Sequence, residues 1–593
     1  MMRSFTNFIN ALRRHYLTRL LLLSALVGVT TALGALAFTY IIDLATRVFM
    51  GGMVGYTMPL PGAEGPTVMP EAAVHRWLLL IVPAVGGLLA GLTMYLLAPD
   101  AAGHGTDAVV KAFHYLGGNI RKRIPAVKTL ATAFTIGTGG SAGREGPIMQ
   151  VGAGFGSMLG KLFKSSDRER RMLVLAGAGA GLGAIFRSPL GAALFATEVL
   201  YRDVDFETPA LVPSFVASIV AYSVYCGITG TWGAIFTVPS LAFRHVLELP
   251  VYVLLGLLCA LVGIVYVQML QGVERKVFHR LTVPAYVKPA IGGLVVGAIG
   301  FFLPQVLGQG YGWVQLAMAG SLSLGIVLAV AAAKIVTTAF TIGSGGSGGT
   351  FAPSVMIGGL LGTAVGMVLH RWLPGVAPSL PAFALVGMAG FLAGAAKTPL
   401  SGLIMVSEMT TGYGLLVPLM LTTAVAYALC PRRFSMYVDQ VDARVDSPAH
   451  EGEYVNAALE HIHVHQALPK NQSTTTFRRD TPLPEILEAV STSKQLVFPV
   501  LDADSALYGV IEFHNIRVFY SSQYVPSAAV VAQDLLSPTF TVVNLEEDLA
   551  SALRKFRTAR IEELPVVERP GSLQLVGVLN RRDVLAAYHD RLV

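Results

Sequence analysis

The chain is poor in charge. Asp, Glu, Lys and Arg together make up 13% of its 593 residues, against about a quarter in soluble domains, while hydrophobic side chains reach 53%. That deficit excludes a string of conventional soluble domains and puts most of the chain in lipid. Cysteine is scarcer still. Cys226, Cys259 and Cys430 lie within or beside apolar runs, with neither metal-ligand spacing nor the even count of a secreted disulfide framework, so no redox or zinc chemistry is implied. A cleavable leader is also missing from the expectations: the apolar stretch from about Leu20 to Ile42 exceeds the roughly 7–15 residues of a signal-peptide core and has no convincing cleavage site after it. It reads as a retained first span. Arg13 and Arg14 before it place the N-terminus in the cytoplasm by the positive-inside rule, and Lys161, Lys164, Arg168, Arg170 and Arg171 mark a further cytoplasmic loop.

The little charge there is falls unevenly. Residues 441–593 hold 14 basic and 20 acidic groups, residues 1–440 hold 29 and 16. A membrane part, 1–440, therefore precedes a soluble tail, 441–593. The overall +7 resolves into +13 before residue 441 and −6 after it. The basic excess is cytoplasmic-loop charge, and no nucleic-acid partner is expected.

Apolar segments recur through the first part, but several run only 11–15 residues between Gly and Pro. A helix needs about 20 residues to cross the hydrocarbon, so these are broken helices whose ends stop inside the protein. The decisive feature is an internal repeat. Thr132–Pro147 (TAFTIGTGGSAGREGP) lies over Thr338–Pro353 (TAFTIGSGGSGGTFAP) at an offset of 206, and Ser188-Pro189-Leu190 and Glu198 lie over Thr398-Pro399-Leu400 and Glu408 at 210. The repeat halves span about 77–228 and 286–430, and paired interrupted segments of this kind mark a transport site at the repeat interface, with inversion the usual arrangement.

Each Gly-rich break runs into a helix. Pro147 and Pro353 suit the first turn, and the amides there lack intrahelical acceptors, so with the positive end of the helix dipole they form a site for an anion. Two matched breaks let two helix N-termini face one ion, whereas a single break more often serves only close helix packing. Glu145 lies in the segment that attracts anions. Its carboxylate competes for the site and loses that attraction when protonated, so one residue serves as gate and proton acceptor; the plainer reading pairs it with Arg144 or with a helix N-terminus.

These residues resemble a known family. Gly143-Arg144-Glu145-Gly146-Pro147 is similar to the GREGP motif of the CLC chloride channels and chloride/proton antiporters, and Gly349-Thr350-Phe351-Ala352-Pro353 to their GxFxP motif. The resemblance implies an all-α polytopic membrane protein with an inverted repeat and broken helices, assembled as a homodimer with one pore per subunit. It implies Glu145 as the gating glutamate and chloride binding around His104, Gly105, Gly146, Thr350, Phe351 and Ala352, with amides of Thr350 and Phe351 coordinating the anion. Tyr437 matches the tyrosine whose hydroxyl donates to the central anion; alone it would read as an interfacial anchor.

Two departures stand out. The family's GSGIP motif is here Gly103-His104-Gly105-Thr106-Asp107, with a histidine for the serine and no proline. The simplest role for Asp107 is an N-cap for the helix toward Leu116, while His104 is expected to face the ion, the ordinary alternative being a histidine packed against a neighbouring loop. Where antiporters commonly carry two adjacent glutamates this chain has Glu198-Val199, so the internal proton carrier is absent at Val199.

The tail has its own repeat. Phe498-Pro499-Val500 and Gly509-Val510-Ile511 are echoed by Leu564-Pro565-Val566 and Gly577-Val578-Leu579, with turn signals at 502–504 and 570–572 and helical patterns at Leu483–Ala489 and Leu549–Phe556. This α+β pair, about 466–523 and 533–590, resembles paired CBS domains. Asn580 and Asp583 fall on the ribose-contacting pattern, with Asn580 replacing its hydroxyl residue, while Glu512 in the first repeat repels a phosphate. An adenine nucleotide is thus a candidate ligand, and a dimerising role the alternative.

The resulting expectation is a chloride-selective channel in the plasma (inner) membrane, gated by Glu145 and pH-sensitive, with N-terminus and CBS tail cytoplasmic. It needs no cofactor, performs no covalent chemistry, and has chloride and other small anions as permeant ligands. A Cl⁻/H⁺ antiporter is the alternative. A CBS-regulated Mg²⁺ channel is more distant, since it wants membrane carboxylates rather than amides.

Overall fold

A computed structural model describes residues 16–62, 64, 65, 67–372, 379–450, 459–469, 474–521, 530–559 and 561–592. Arg13 and Arg14, and residues 470–473 and 522–523 of the first tail repeat, lie outside them. The chain divides into two compact units, Met1–Ala449 and His450–Val593.

The first unit is helical. Among the described residues six helices, including Tyr16–Val54, Arg76–Leu97, Thr208–Thr229 and Val246–Phe278, are long and apolar enough to cross a membrane, and these four are less than half buried in the protein, which leaves their outer faces for lipid. Between them lie pieces that are too short: Thr106–His114, Pro189–Glu198, Tyr311–Met318 and Pro399–Thr410. At 1.5 Å per residue they reach only about 12–18 Å, and their ends are buried in protein as the interrupted sequence required.

The halves repeat in packing as well as in sequence. Helix Glu145–Leu162 lies on Asp167–Phe186 through Gly152 against Gly177, and Phe351–Trp372 lies on Leu380–Ala396 through Gly358 against Gly387. A Cβ on any of these four glycines would meet the facing glycine's carbonyl. In lipid, where burial of apolar surface gives helices no reason to associate, such close backbone approach is what holds them.

A local two-fold relates the halves. Gly143 and Gly349, equivalent in the repeat, exchange both N–H···O bonds at 2.7 and 2.6 Å in an antiparallel bridge. Thr132 bonds Ser347 at 2.8 Å, and the equivalent pair, Thr338 and Ser141, bonds at 3.1 Å. The equivalent loops lie at opposite ends of the unit. Loop 99–105 sits at the end where Arg121 pairs with Asp100, Arg170 donates to Gly117 O, and Arg19 donates to Phe163 O. Loop 303–310 sits at the other end, where Gly308 N donates to Gly139 O beside Met50. The repeat is inverted.

Charge alone ends the membrane part at residue 440, but residues 441–449 are zipped onto it. Arg202 N donates to Val441 O and Asp203 N to Asp442 O, both at 2.9 Å, and His114 Nδ1 meets Ser447 Oγ at 2.7 Å. A polar strap on a membrane domain is invisible to a composition count.

The second unit holds two three-stranded sheets of one design. In each a short strand, Phe477–Arg478 or Val543–Asn544, pairs parallel with the centre strand, Val497–Leu501 or Glu563–Val567. The centre strand pairs antiparallel with Leu507–Glu512 or Leu575–Asn580, with the same irregularity after Val500 and after Val566. Helices Leu483–Thr492 and Leu549–Ala559 precede the centre strands, as the sequence pattern indicates.

Candidate anion site

The two Gly-rich breaks, 138–144 and 344–350, meet at the bridge between Gly143 and Gly349, so the helices that follow them begin side by side. Glycine is required at the meeting point: a Cβ on Gly143 would collide with the Glu145 carboxylate and with Ala352 Cβ, and one on Gly349 would sit 2.8 Å from Gly146 N. Glu145 occupies the first turn of its own helix, and its side chain crosses to the other half. It is 1% exposed, with Oε2 accepting from Ala352 N at 3.3 Å and Oε1 from the Tyr311 hydroxyl at 2.5 Å. A carboxylate thus stands at the N-terminus of a helix from the opposite repeat, where an anion is stabilised. The sequence pairing of Glu145 with Arg144 is not what forms. Arg144 turns away to an ion pair with Glu64 at 2.5 Å, from a loop distant in sequence.

The expected ligands divide into two groups. Gly146 and Ala352 lie at the carboxylate's site, with Ala352, rather than Thr350 or Phe351, supplying the bonded amide. The Phe351 ring packs on Phe186 and Phe195, at centroid distances of 5.1 and 5.7 Å. His104, Gly105 and Thr350 instead line a cavity of about 660 Å³, shared with Gly103, Asp107 and Met436. Tyr437 is buried, and its hydroxyl faces Thr106 and Thr350. The groups touch through the backbone, since a Cβ on Gly146 would meet His104 O and one on Gly105 would meet Gly146 O.

His104 does not stand simply in for a serine hydroxyl. Its Nε2 meets Asp107 Oδ2 at 3.0 Å, its ring lies 5.5 Å from that of Tyr437, and its buried Nδ1 has no hydrogen-bond partner among the described residues. Asp107 departs from the N-cap expectation. Gly105, at φ +87°, takes the cap position, and the Asp107 carboxylate accepts from Val438 N at 3.0 Å and Asp439 N at 3.3 Å. It pins the segment that carries Tyr437.

Val199 is fully buried; its N–H donates to Phe195 O at 3.0 Å and its carbonyl accepts from Gln440 Nε2 at 2.9 Å. Its neighbour Glu198 accepts from Leu400 N and Ser401 N at 3.1 and 2.7 Å, at the start of the helix from Pro399. Glu408, its repeat equivalent, does the same in return. It accepts from Gly191 N at 2.8 Å and Ser188 Oγ at 2.5 Å, at the start of the helix from Pro189. Each half caps the other's helix.

Two lysines escaped the sequence reading. Lys128 donates to Ala101 O at 3.0 Å and Gly103 O at 2.5 Å, and Lys334 to Val306 O at 2.9 Å and Gly308 O at 2.7 Å; neither is exposed. They are 206 apart, so extending the repeat four residues upstream of Thr132 would have found them. Each ammonium holds a loop that leads into a short helix at the site, Thr106–His114 or Tyr311–Met318.

In the tail, Asn580 and Asp583 are occupied locally. Asn580 Nδ2 donates to Glu563 Oε1 at 3.2 Å, and Asp583 Oδ2 accepts from Asn580 N at 3.2 Å, capping the helix from Arg581. Neither borders the tail cavity of about 520 Å³, which is lined by Glu512, Thr539, Thr541, Arg554 and Lys555, among others.

Comparison with known proteins agrees with this geometry. The family model described as voltage gated chloride channel matches residues 86–431, and that described as CBS domain matches residues 531–590. A protein of Ralstonia nicotianae bearing the name of a ClcB-like chloride channel protein is 32% identical over 390 residues, which is 65% of this chain and 90% of its own. An H(+)/Cl(-) exchange transporter ClcA of Cronobacter sakazakii is 31% identical over 413 residues, 68% of this chain and 84% of its own. Among solved structures, a slow cyanobacterial Cl-/H+ antiporter shares the fold at TM-score 0.60 and 23% identity, over 70% of this chain and 94% of its own. A eukaryotic CLC transporter does so at TM-score 0.55 and 19% identity, over 96% of this chain and 98% of its own. With over half of its length matched by the family model, and relatives above 30% identity matched along most of theirs, this chain belongs to the CLC family of voltage gated chloride channels and transporters and carries a C-terminal CBS domain.

Proposed function

We propose that this protein exchanges chloride for protons, in preference to the passive channel expected from the sequence. One observation carries the reading: the Glu145 carboxylate rests on the donors that suit an anion, the Ala352 amide and the Tyr311 hydroxyl. Ionised, it closes the pathway as a tethered anion. Protonated, it competes poorly for those donors, leaves, and chloride takes its place. Proton uptake and anion passage then depend on the same side chain, which is the requirement for coupling. The 31% identity to proteins named as H(+)/Cl(-) exchange transporters supports exchange.

Protons on the other side need an acceptor that Val199 cannot supply. His104 and Asp107 meet that need: they line the large cavity beside Tyr437, where the imidazole Nε2 meets the Asp107 carboxylate at 3.0 Å. That end of the unit carries Arg19, Arg121 and Arg170, so it faces the cytoplasm, with N-terminus and tail on that side of the plasma (inner) membrane. The working form is a homodimer with one pathway per subunit; an adenine nucleotide stays the candidate ligand of the tail, with the Glu512 carboxylate in the tail cavity opposing its phosphates and a dimerising role the alternative.

The test is a crossed-gradient flux measurement on the full chain in liposomes, with chloride and pH electrodes. A chloride gradient should drive protons uphill at a fixed ratio, and Glu145→Gln should abolish the proton movement while chloride continues to flow. Chloride flow with protons left at equilibrium in wild type would establish the second reading, a channel, which the absence of a carboxylate at Val199 favours.

A further inference from the structure

Tyr311 is not part of any motif that led to the site, yet it makes the shortest contact with the gate. It begins the helix Tyr311–Met318, directly after Gly308-Gln309-Gly310, whose glycines stand at φ +65° and +92°. This is the repeat of Gly103-His104-Gly105, with φ +78° and +87°, followed by Thr106. The loop is held by Lys334 through Val306 O and Gly308 O, as its counterpart is held by Lys128. A rigid loop therefore fixes where the phenol points. The ring is 3% exposed and packs edge-on against Phe236 at 5.6 Å, and its hydroxyl donates to Glu145 Oε1 at 2.5 Å. At the two-fold-related position Thr106 faces Tyr437 instead. Hydroxyls thus look into the pathway from opposite ends, one on the gate and one on the inner site.

We propose that Tyr311 is the outer latch of Glu145: its O–H holds the ionised carboxylate in the pathway and sets the pH at which the gate leaves. The inference rests on the reading of Glu145 as the gate. The phenol has no charge of its own to contribute below about pH 10, so its effect runs through the acceptor it serves. A hydrogen bond to an ionised acceptor favours the charged form. Other charged or titratable groups act on the gate from neighbouring elements, namely Arg144 with its partner Glu64, Lys334 and Tyr266, and none of these is altered by removing one hydroxyl.

The test uses the full chain in liposomes, with initial chloride efflux measured from pH 4.5 to 8 for wild type, Tyr311→Phe, Glu145→Gln and the double variant. Phenylalanine keeps the ring on Phe236 and removes only the donor. One hydrogen bond to a charged acceptor biases an equilibrium by about ten- to a hundredfold, which corresponds to about one to two pH units. The midpoint of acid activation in Tyr311→Phe should therefore move up by about that amount, and the double variant should overlay Glu145→Gln. Tyr311→Leu, also without a hydroxyl, should move the midpoint in the same direction if the phenylalanine variant does not assemble. An unmoved midpoint, or the same change in flux with and without the Glu145 carboxylate, overturns the latch and makes Tyr311 a packing residue. If Glu145→Gln itself keeps the wild-type pH response and proton coupling, the gate reading has failed instead.

Discussion

The exchanged carboxylate caps make a prediction that separates structure from transport. Glu198 lies where a proton carrier would be sought, next to Val199, but both of its oxygens are committed to backbone amides, those of Leu400 and Ser401. Replacing it with glutamine keeps one acceptor oxygen, removes the charge at a helix N-terminus, and turns an NH₂ donor toward an N–H donor. A bond to a charged acceptor is worth about 1.5–3 kcal/mol, and an unmatched buried donor costs about 1–3 kcal/mol more, so Glu198→Gln should lose about 2.5–6 kcal/mol. For a large domain, at about 2 °C per kcal/mol, that is a fall on the order of 5–12 °C in the melting midpoint. Glu408→Gln should lose about as much, since that carboxylate accepts from Gly191 N and Ser188 Oγ in the equivalent place. Thermal unfolding in detergent, followed by size-exclusion chromatography, gives the midpoints, and paired chloride and proton fluxes on the surviving folded protein give the coupling. The folded fraction of both variants should keep the wild-type flux ratio. If Glu198→Gln melts with wild type and loses proton flux, while Glu408→Gln does neither, Glu198 is a proton carrier and the capping argument is wrong.

Further outcomes follow from other sites. Gly143→Ala places a methyl group against the Glu145 carboxylate, so it should force the gate off its donors and give chloride flux that varies with pH as little as that of Glu145→Gln, measured in the same efflux assay. His104→Ser removes the ring nitrogens beside Asp107; proton flux should drop by about tenfold or more while chloride flux persists, read by paired electrodes. In the tail, Asp548 caps the helix Leu549–Ala559 by accepting from Ser551 N at 2.7 Å and Ser551 Oγ at 2.8 Å. Partial burial opposes ionisation there, but these bonds outweigh it and hold the carboxyl below its ordinary range. Its stabilisation is therefore fully present above about pH 4 and is lost as pH falls through the depressed value. Asp548→Ala should cost about 1 kcal/mol, seen at neutral pH as roughly fivefold faster hydrogen exchange in that helix and no longer seen at the acid end.

Repeats and motifs were readable because they are local strings. GREGP, GxFxP and the 206-residue offset pointed to the broken helices, the meeting of the two breaks beside Glu145 and the family, and the alternating strands pointed to the tail. What stayed hidden depends on contacts between distant residues. Tyr311 approaches Glu145 across 166 residues and Glu64 reaches Arg144 across 80, and neither spacing leaves a mark on hydropathy. The carboxylate of Asp107 was assigned to its own helix, because capping is the commonest use of an aspartate there, and the pull of the Val438 and Asp439 amides has no sequence signature. Lys128 and Lys334 sit in apolar runs where a cation is costly, which was the signal to follow.

The antiparallel bridge at Gly143 and Gly349, with its flanking Thr–Ser pairs and swapped glutamates, also bears on ancestry. All of these bonds join one half to the other, and each but that of Ser188 Oγ has a symmetry mate. Two identical half-length chains meeting about the same axis would form every one of them between subunits. Fusion of such a pair into one gene would have required no new contact at the interface, only a connecting segment. Divergence then had two copies of each position to work with, and it placed the acid at 145 on one side and a non-ionisable Phe351 on the other, so that a symmetrical cradle came to hold a one-sided carboxylate.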